Sequence, residues 1–258
     1  MGVEIHPKAI VHPEAFLDED VKVGPYAVIE KDVKIGSSTI IGSFVQLLGN
    51  TEVGKSCKIY SYAVIGSVPQ DLKYKGERTF VIVGDNNIIR EFVTINPGTE
   101  EGSATLVGSN NLIMAYSHIA HNCKIGDNNI LANTATLAGH VEIEDRVVIG
   151  GLVAIHQFCR IGSYSIIGGC SKVVQDIPPY SLCDGHPAKV YSVNVVGLRR
   201  AGFSEEKIEA IRKAFKIIFF EKHTFSSARE IILNKLPSSP ELDKLLTFIA
   251  SSKRGIAR

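Results

Sequence analysis

The side chains in this sequence best suited to chemistry are histidines. Four of the eight fall between positions 118 and 156: His118, His121, His140 and His156. An imidazole titrates near neutrality, so it can accept and return a proton at working pH. It can also ligate zinc. A single surface histidine is most often a solvated turn residue; four that converge would make a site. Whether they converge depends on the elements that carry them.

Those elements show themselves as a period of six. Stepping by six from Ile5 to Val173 meets an aliphatic residue at 26 of 29 positions, the exceptions being Asp71, Glu77 and Glu101. Four residues after each aliphatic stands a mostly small one, such as Ala9, Ala15, Ala27, Cys57, Ala63, Cys123 or Cys159. Glycine often follows the aliphatic directly, as at Gly24, Gly36, Gly42, Gly54, Gly66, Gly84, Gly108, Gly126, Gly150, Gly162 and Gly168. Six matches neither a 3.6-residue helix nor a long alternating strand. It matches a mainly β fold, a parallel β-helix in which each hexapeptide forms one flat side and three sides close a triangular coil. The aliphatics then stack inward in three columns, and glycine is expected to supply unusual backbone angles at the corners. The pattern spans residues 5–178, so roughly ten coils stacked at ~4.8 Å give a prism ~45 Å long.

Two polar segments, 71–82 and 95–106, interrupt the pattern without shifting its phase. They are expected to protrude as loops, where function often resides. From about residue 193 the texture turns helical. Ser204 can cap a helix with Glu205 and Glu206 in its first turn, Ser226 or Ser227 a second, and Ser239-Pro240 can open a third. The expected division is a coil over 1–190 and an α-helical C-terminal domain over 191–258.

Composition bounds the function. The 258 residues are 45% hydrophobic and 21% charged, enough for a sizeable core. The net charge of +1 argues against a general nucleic-acid binder. It hides an asymmetry: residues 1–186 carry 14 basic and 20 acidic side chains, residues 187–258 carry 14 and 7. No apolar run is long enough to span a membrane, and the N-terminus does not look like a secretory signal. The five cysteines form no CxxC pair, so neither a disulfide framework nor a cysteine zinc site is indicated. A cytoplasmic protein is the expectation.

In such a coil, residues 18 apart lie one above another. His121 then sits beneath Gly139, with Gln157 and Gln175 above, and His140 and His156 flank the column. None of the four histidines holds the inward register, so they should line a surface or cleft. An acid–base site, a zinc site and coincidence all remain open on these grounds. Zinc needs three ligands, and here the third would come from a neighbouring subunit; the HxxxxH spacing of the coiled carbonic anhydrases is absent.

Several stretches carry a closer resemblance: Val68-Pro69-Gln70-Asp71-Leu72-Lys73-Tyr74, His118-Ile119-Ala120-His121-Asn122-Cys123, Leu137-Ala138-Gly139-His140, Ile155-His156-Gln157-Phe158-Cys159 and Asn194-Val195-Val196-Gly197-Leu198-Arg199-Arg200. Together they resemble the hexapeptide-repeat acyltransferases, and within them the UDP-N-acetylglucosamine O-acyltransferases that begin lipid A biosynthesis. The resemblance covers essentially the whole chain. It implies a left-handed coil, a homotrimer with sites in the clefts between neighbours, and transfer of a 3-hydroxyacyl chain from acyl carrier protein to the glucosamine 3-position. No metal or organic cofactor is called for, because the thioester is already activated. The basic tail would face the acidic carrier protein.

Carried over residue by residue, the resemblance makes His121 the general base and the Gly139 N–H the oxyanion donor. Gln70, Asp71 and Lys73 would position sugar and base. His118, His140, His156 and Gln157 would bind sugar or diphosphate, and Asn194 and Arg200 the nucleotide. Gly169 and Lys172 would set acyl length, the lysine by projecting across the groove. Three positions depart from the family: Asn122 where Asp usually follows the catalytic histidine, Val196 where Glu is frequent, and Ala201 where a second Arg often stands. An amide cannot stabilise imidazolium as a carboxylate does. Either another carboxylate does so, or the acceptor is the better nucleophile, a 3-amino sugar. A related N-acyltransferase carries an extra N-terminal domain, whereas the period here begins at residue 5. A zinc lyase and a non-catalytic binding β-helix are the rivals from other classes.

Overall fold

The computed structural model describes residues 2–258. Very short strands, most of two residues, assemble into three parallel sheets that form the sides of a left-handed triangular β-helix. Each strand pairs with the strand one coil above and below. In the second sheet Ile29, Leu47, Ile65, Ile95, Ile119, Leu137, Ile155 and Val173 succeed one another in register. All eight are buried. The residue before each aliphatic points outward, so the same sheet presents Thr94, His118, Thr136, Ala154 and Lys172 as an external ladder.

The expectation about glycine needs correction. A positive φ recurs every six residues, but non-glycine residues carry it, among them Tyr26 (φ 60°), Asn86 (φ 57°), Asn122 (φ 59°) and His140 (φ 60°). Of the glycines that follow an inward aliphatic, Gly66 alone has a positive φ, 89°. The others stand where the next coil passes too close for a Cβ. At Gly36 a Cβ would lie 2.7 Å from the Gly54 carbonyl carbon, and at Gly84 2.9 Å from that of Gly108.

Extra chain leaves the prism between Ile65 and Phe80 and between Ile95 and Ala104. The strands Phe80–Val83 and Ala104–Val107, inside the two segments read as loops, pair in register with each other. Val81 and Thr105 are buried, as is Ile95. The projecting segments are therefore 66–79 and 96–103, because the last residues of each interruption alternate inward and outward and rejoin the sheet.

The coil closes with an antiparallel hairpin of Ser181–Gly185 and Ala188–Val193, whose second strand runs across the 190/191 boundary. Four helices follow: α1 (Val195–Arg200), α2 (Glu205–Phe215, continued as a π-helical turn Lys216–Phe220), α3 (Phe225–Lys235) and α4 (Pro240–Ala250). Ser204 caps α2 and Ser239 caps α4 with Pro240 in its first turn, whereas Thr224, not Ser226 or Ser227, caps α3. The helices pack back on the last coils. Phe203 meets the Tyr164 ring edge-on at 5.0 Å, Lys244 Nζ donates to Ser163 Oγ at 2.7 Å, and Ser252 Oγ donates to Asp176 Oδ2 at 2.7 Å. No helix among the described residues is long and apolar enough to cross a membrane.

Candidate active site

One groove of about 430 Å³ runs along the outer face of the second sheet. The sheet's external ladder forms its floor: His118, Thr136, Ala154 and Lys172. Gln70 and Asn96 close it from the side of the two loops, and His121, Gly139 and His156 line it at the corner. The sequence-predicted groups His118, His121, Gly139, His156, Gln70 and Lys172 thus share one cavity.

Within it the His121 ring lies against Gly139 one coil above. A Cβ built on Gly139 would lie 2.5 Å from both Cε1 and Nε2 of the imidazole. A backbone bond holds the two coils in this relation, His140 N–H donating to His121 O at 3.0 Å, and Phe158 N–H ties Gly139 O to the following coil at 3.2 Å. The Gly139 N–H has no hydrogen-bond partner among the described residues, so it is available to a bound group.

The tautomer of His121 follows from its neighbours. Glu100 is acceptor-only when ionised, so the Asn122 Nδ2 must face it, donating to Oε2 at 2.9 Å. Asn122 Oδ1 therefore faces His121 Nδ1 at 2.9 Å and must accept from it. It also accepts from Thr99 Oγ1 at 3.0 Å. The Nδ1–H is thereby fixed, so in the neutral ring the lone pair is on Nε2. Asp71 Oδ2 lies 3.8 Å from that Nε2, while Asp71 Oδ1 accepts from the Lys73 N–H at 2.9 Å and shapes the loop. A second carboxylate, that of Glu100, is thus connected to the imidazole through the Asn122 amide. Burial is the largest influence on Glu100 and pushes its carboxyl up, but hydrogen bonds from Asn122, its own N–H, Thr99 and Ser103 outweigh it and hold the group below the usual glutamate range.

Two neighbouring histidines, His118 and His140, are held below the usual imidazole range. Burial, then the proximity of His121, lowers the pKa of His118, whose Nδ1 shares a 2.7 Å hydrogen bond with Thr94 Oγ1. Burial, then His121, also lowers that of His140, against the opposing pull of Glu100 and Asp71. The His140 ring meets His121 edge-on at 5.2 Å and stacks on Phe158 at 4.7 Å. His156 Nδ1 lies 3.1 Å from the Gln157 carbonyl oxygen. Among the described residues no three His, Cys, Asp or Glu side chains converge to hold a metal.

Other predicted residues lie elsewhere. Lys73 is exposed on the first loop and Gln157 at the corner beyond His156; neither lines the groove. Gly169 is exposed, with its notional Cβ 3.2 Å from Gly151 O. Asn194 caps α1, accepting from Gly197 N–H at 3.0 Å and donating to Tyr164 O at 2.8 Å. Arg200 is exposed at the end of α1. Sequence reasoning missed Asn96, Thr99 and Glu100. Asn96 is buried and pins the first loop, donating to Ser67 O and Oγ at 3.1 Å. No periodic signal marks these three, because they lie in or at the edge of the loop that leaves the repeat.

The family model described as "Udp N-acetylglucosamine O-acyltransferase; Domain 2" matches residues 176–257, and "Bacterial transferase hexapeptide (six repeats)" matches 14–49, 32–67 and 104–139. An acyl-[acyl-carrier-protein]--UDP-N-acetylglucosamine O-acyltransferase of Myxococcus xanthus is 52% identical over 256 residues, covering 99% of each chain. One from Alkalilimnicola ehrlichii is 47% identical over 98% of this chain and 99% of its own. Among solved structures, LpxA from Acinetobacter baumannii aligns with a TM-score of 0.95 at 44% identity, over 98% of this chain and 99% of that one. LpxA from Bacteroides fragilis aligns at 0.96 and 42%, with the same coverage. With full-length identity at this level, the chain belongs to the UDP-N-acetylglucosamine O-acyltransferase family.

Proposed function

We propose that this protein moves a 3-hydroxyacyl chain from acyl carrier protein to the glucosamine 3-position of UDP-N-acetylglucosamine, the first step of lipid A biosynthesis. The family assignment supports the reaction class. The observation that carries the mechanism is the bare Nε2 of His121 against the unpartnered amide of Gly139.

His121 Nε2 takes the proton of the sugar hydroxyl as its oxygen attacks the thioester carbonyl. The tetrahedral oxyanion accepts from the Gly139 N–H. Collapse expels the carrier thiolate, which recovers the proton from the imidazolium. Asp71, 3.8 Å from Nε2, stands where it can hold the hydroxyl beside the base. Gln70, His118 and His156 line the sugar end, His140 supports the His121 ring, and the apolar trough over Thr136 and Ala154 runs to Lys172 for the acyl chain. Lys73, Gln157, Asn194 and Arg200 lie outside this groove. They reach substrate in a cytoplasmic homotrimer, whose neighbour completes the cleft, with the basic helical region facing the carrier protein. Gly169, beside Lys172 on the last coils, leaves the acyl end open.

The test is to offer purified protein a set of hydroxyacyl carrier proteins and UDP-sugars bearing a 3-hydroxyl or a 3-amine, and to identify the product by mass. A 3-O-acylated sugar, with turnover at least ~10²-fold lower in His121→Ala, is the expected result. Full activity in that variant would refute the base; exclusive use of the amine would refute the acceptor.

A further inference from the structure

The loop 96–103 brings a carboxylate behind the histidine that the local sequence lacks. We propose that Glu100 is a positioning residue for the general base, its negative charge acting on His121 through the side-chain amide of Asn122. The inference deepens the acyltransferase reading and rests on it for its kinetic arm only.

Three contacts carry it. Asn122 accepts from His121 Nδ1 at 2.9 Å, donates to Glu100 Oε2 at 2.9 Å, and accepts from Thr99 Oγ1 at 3.0 Å. Glu100 is itself held by the loop, its N–H donating to Ser103 Oγ at 3.0 Å. The amide is thus locked in one orientation, with its dipole aligned between acid and base. When Nε2 gains a proton, the imidazolium and the carboxylate lie at opposite ends of a hydrogen-bonded chain, which stabilises the charge that forms in the reaction. The other charged or titratable groups that face His121 are Asp71 on the first loop and His118 and His140 on adjoining strands and corners. Asp71 acts at Nε2; Glu100 acts at Nδ1.

Glu100→Gln removes the charge and keeps an oxygen to accept from Asn122. Two charges about 7 Å apart at a partly solvated site move a pKa by roughly half to one unit. The His121 titration, followed by NMR and assigned by its loss in His121→Ala, is therefore expected to fall by that amount. The acid limb of kcat/KM should move with it, and kcat should drop roughly 3- to 10-fold at unchanged KM. Asn122→Asp alone sets two carboxylates face to face. Combined with Glu100→Gln it restores the chain with the donor reversed and the charge one residue nearer. The double variant should recover wild-type turnover or better and titrate above wild type. A purely structural role for the loop would make the two losses add. An unmoved His121 titration in Glu100→Gln, or a double variant no better than the sum of the singles, overturns the proposal. If the wild type forms no acylated product, the transferase reading fails while the titration still decides the relay.

Discussion

Gly139→Ala tests the contact on which the mechanism turns. Gly139 has no positive φ, so its backbone accepts alanine. The new Cβ would stand 2.5 Å from Cε1 and Nε2 of His121, and ordinary van der Waals contact requires about 0.9 Å more. The backbone cannot easily yield, since the corner is tied at His140 N–H to His121 O (3.0 Å) and at Phe158 N–H to Gly139 O (3.2 Å). The ring therefore moves. It either strains the 2.9 Å bond from Nδ1 to Asn122, worth about 1 kcal/mol, or swings Nε2 away from the acceptor hydroxyl. A displacement near 1 Å costs about 10²-fold in rate, ~2.7 kcal/mol. Stability should hardly change, because the alanine's unfolded-state benefit of ~0.4–1 kcal/mol roughly offsets the side-chain adjustment. The assay is steady-state acyl transfer with thermal unfolding on the same sample. In a His121→Ala background the second substitution should cost almost nothing further, since the ring it strikes is gone. Gly139→Ala with activity within threefold of wild type at unchanged melting temperature would refute the reasoning.

Lys172 stands three strand spacings along the groove floor from His118, about 14 Å, so Lys172→Ala should lengthen the preferred acyl chain in a competition assay; an unchanged preference would dismiss the lysine as a ruler. The lowered pKa values of His118 and His140, caused first by burial and then by His121, have a stability consequence. The unfolded chain takes up protons near pH 6.5 that the folded state resists, so stability is present above that pH and is lost as pH falls through the folded values. Melting temperature should decline from pH 7 to pH 5, and His118→Asn should flatten that slope; an unaltered slope would contradict the assignment.

The coil was legible because each aliphatic six residues on repeats the same physical demand, and the stacking of His121 under Gly139 needed only a count of 18. Thr136 and Ala154 could be placed the same way once the period was known. Reading failed where the period stops. Val81 and Thr105 look like loop residues by position, yet their strands rejoin the sheet. That the amide of Asn194 also caps α1 and holds Tyr164 O is a pair of contacts no motif announces. Glycine at the corners answers to close approach of the next coil, a distance that no local propensity encodes.

The amino-acid order alone determined the prism, its three inward columns and the row of histidines along one edge, since backbone hydrogen bonds between coils transmit a repeat at fixed spacing from one rung to the next. Only the folded chain decided that Glu100 stands behind Asn122, that Nε2 is the bare nitrogen of His121, and that Asp71 reaches it. Those relations depend on two aperiodic loops, and such loops take their shape from individual side-chain hydrogen bonds rather than from any repeating pattern.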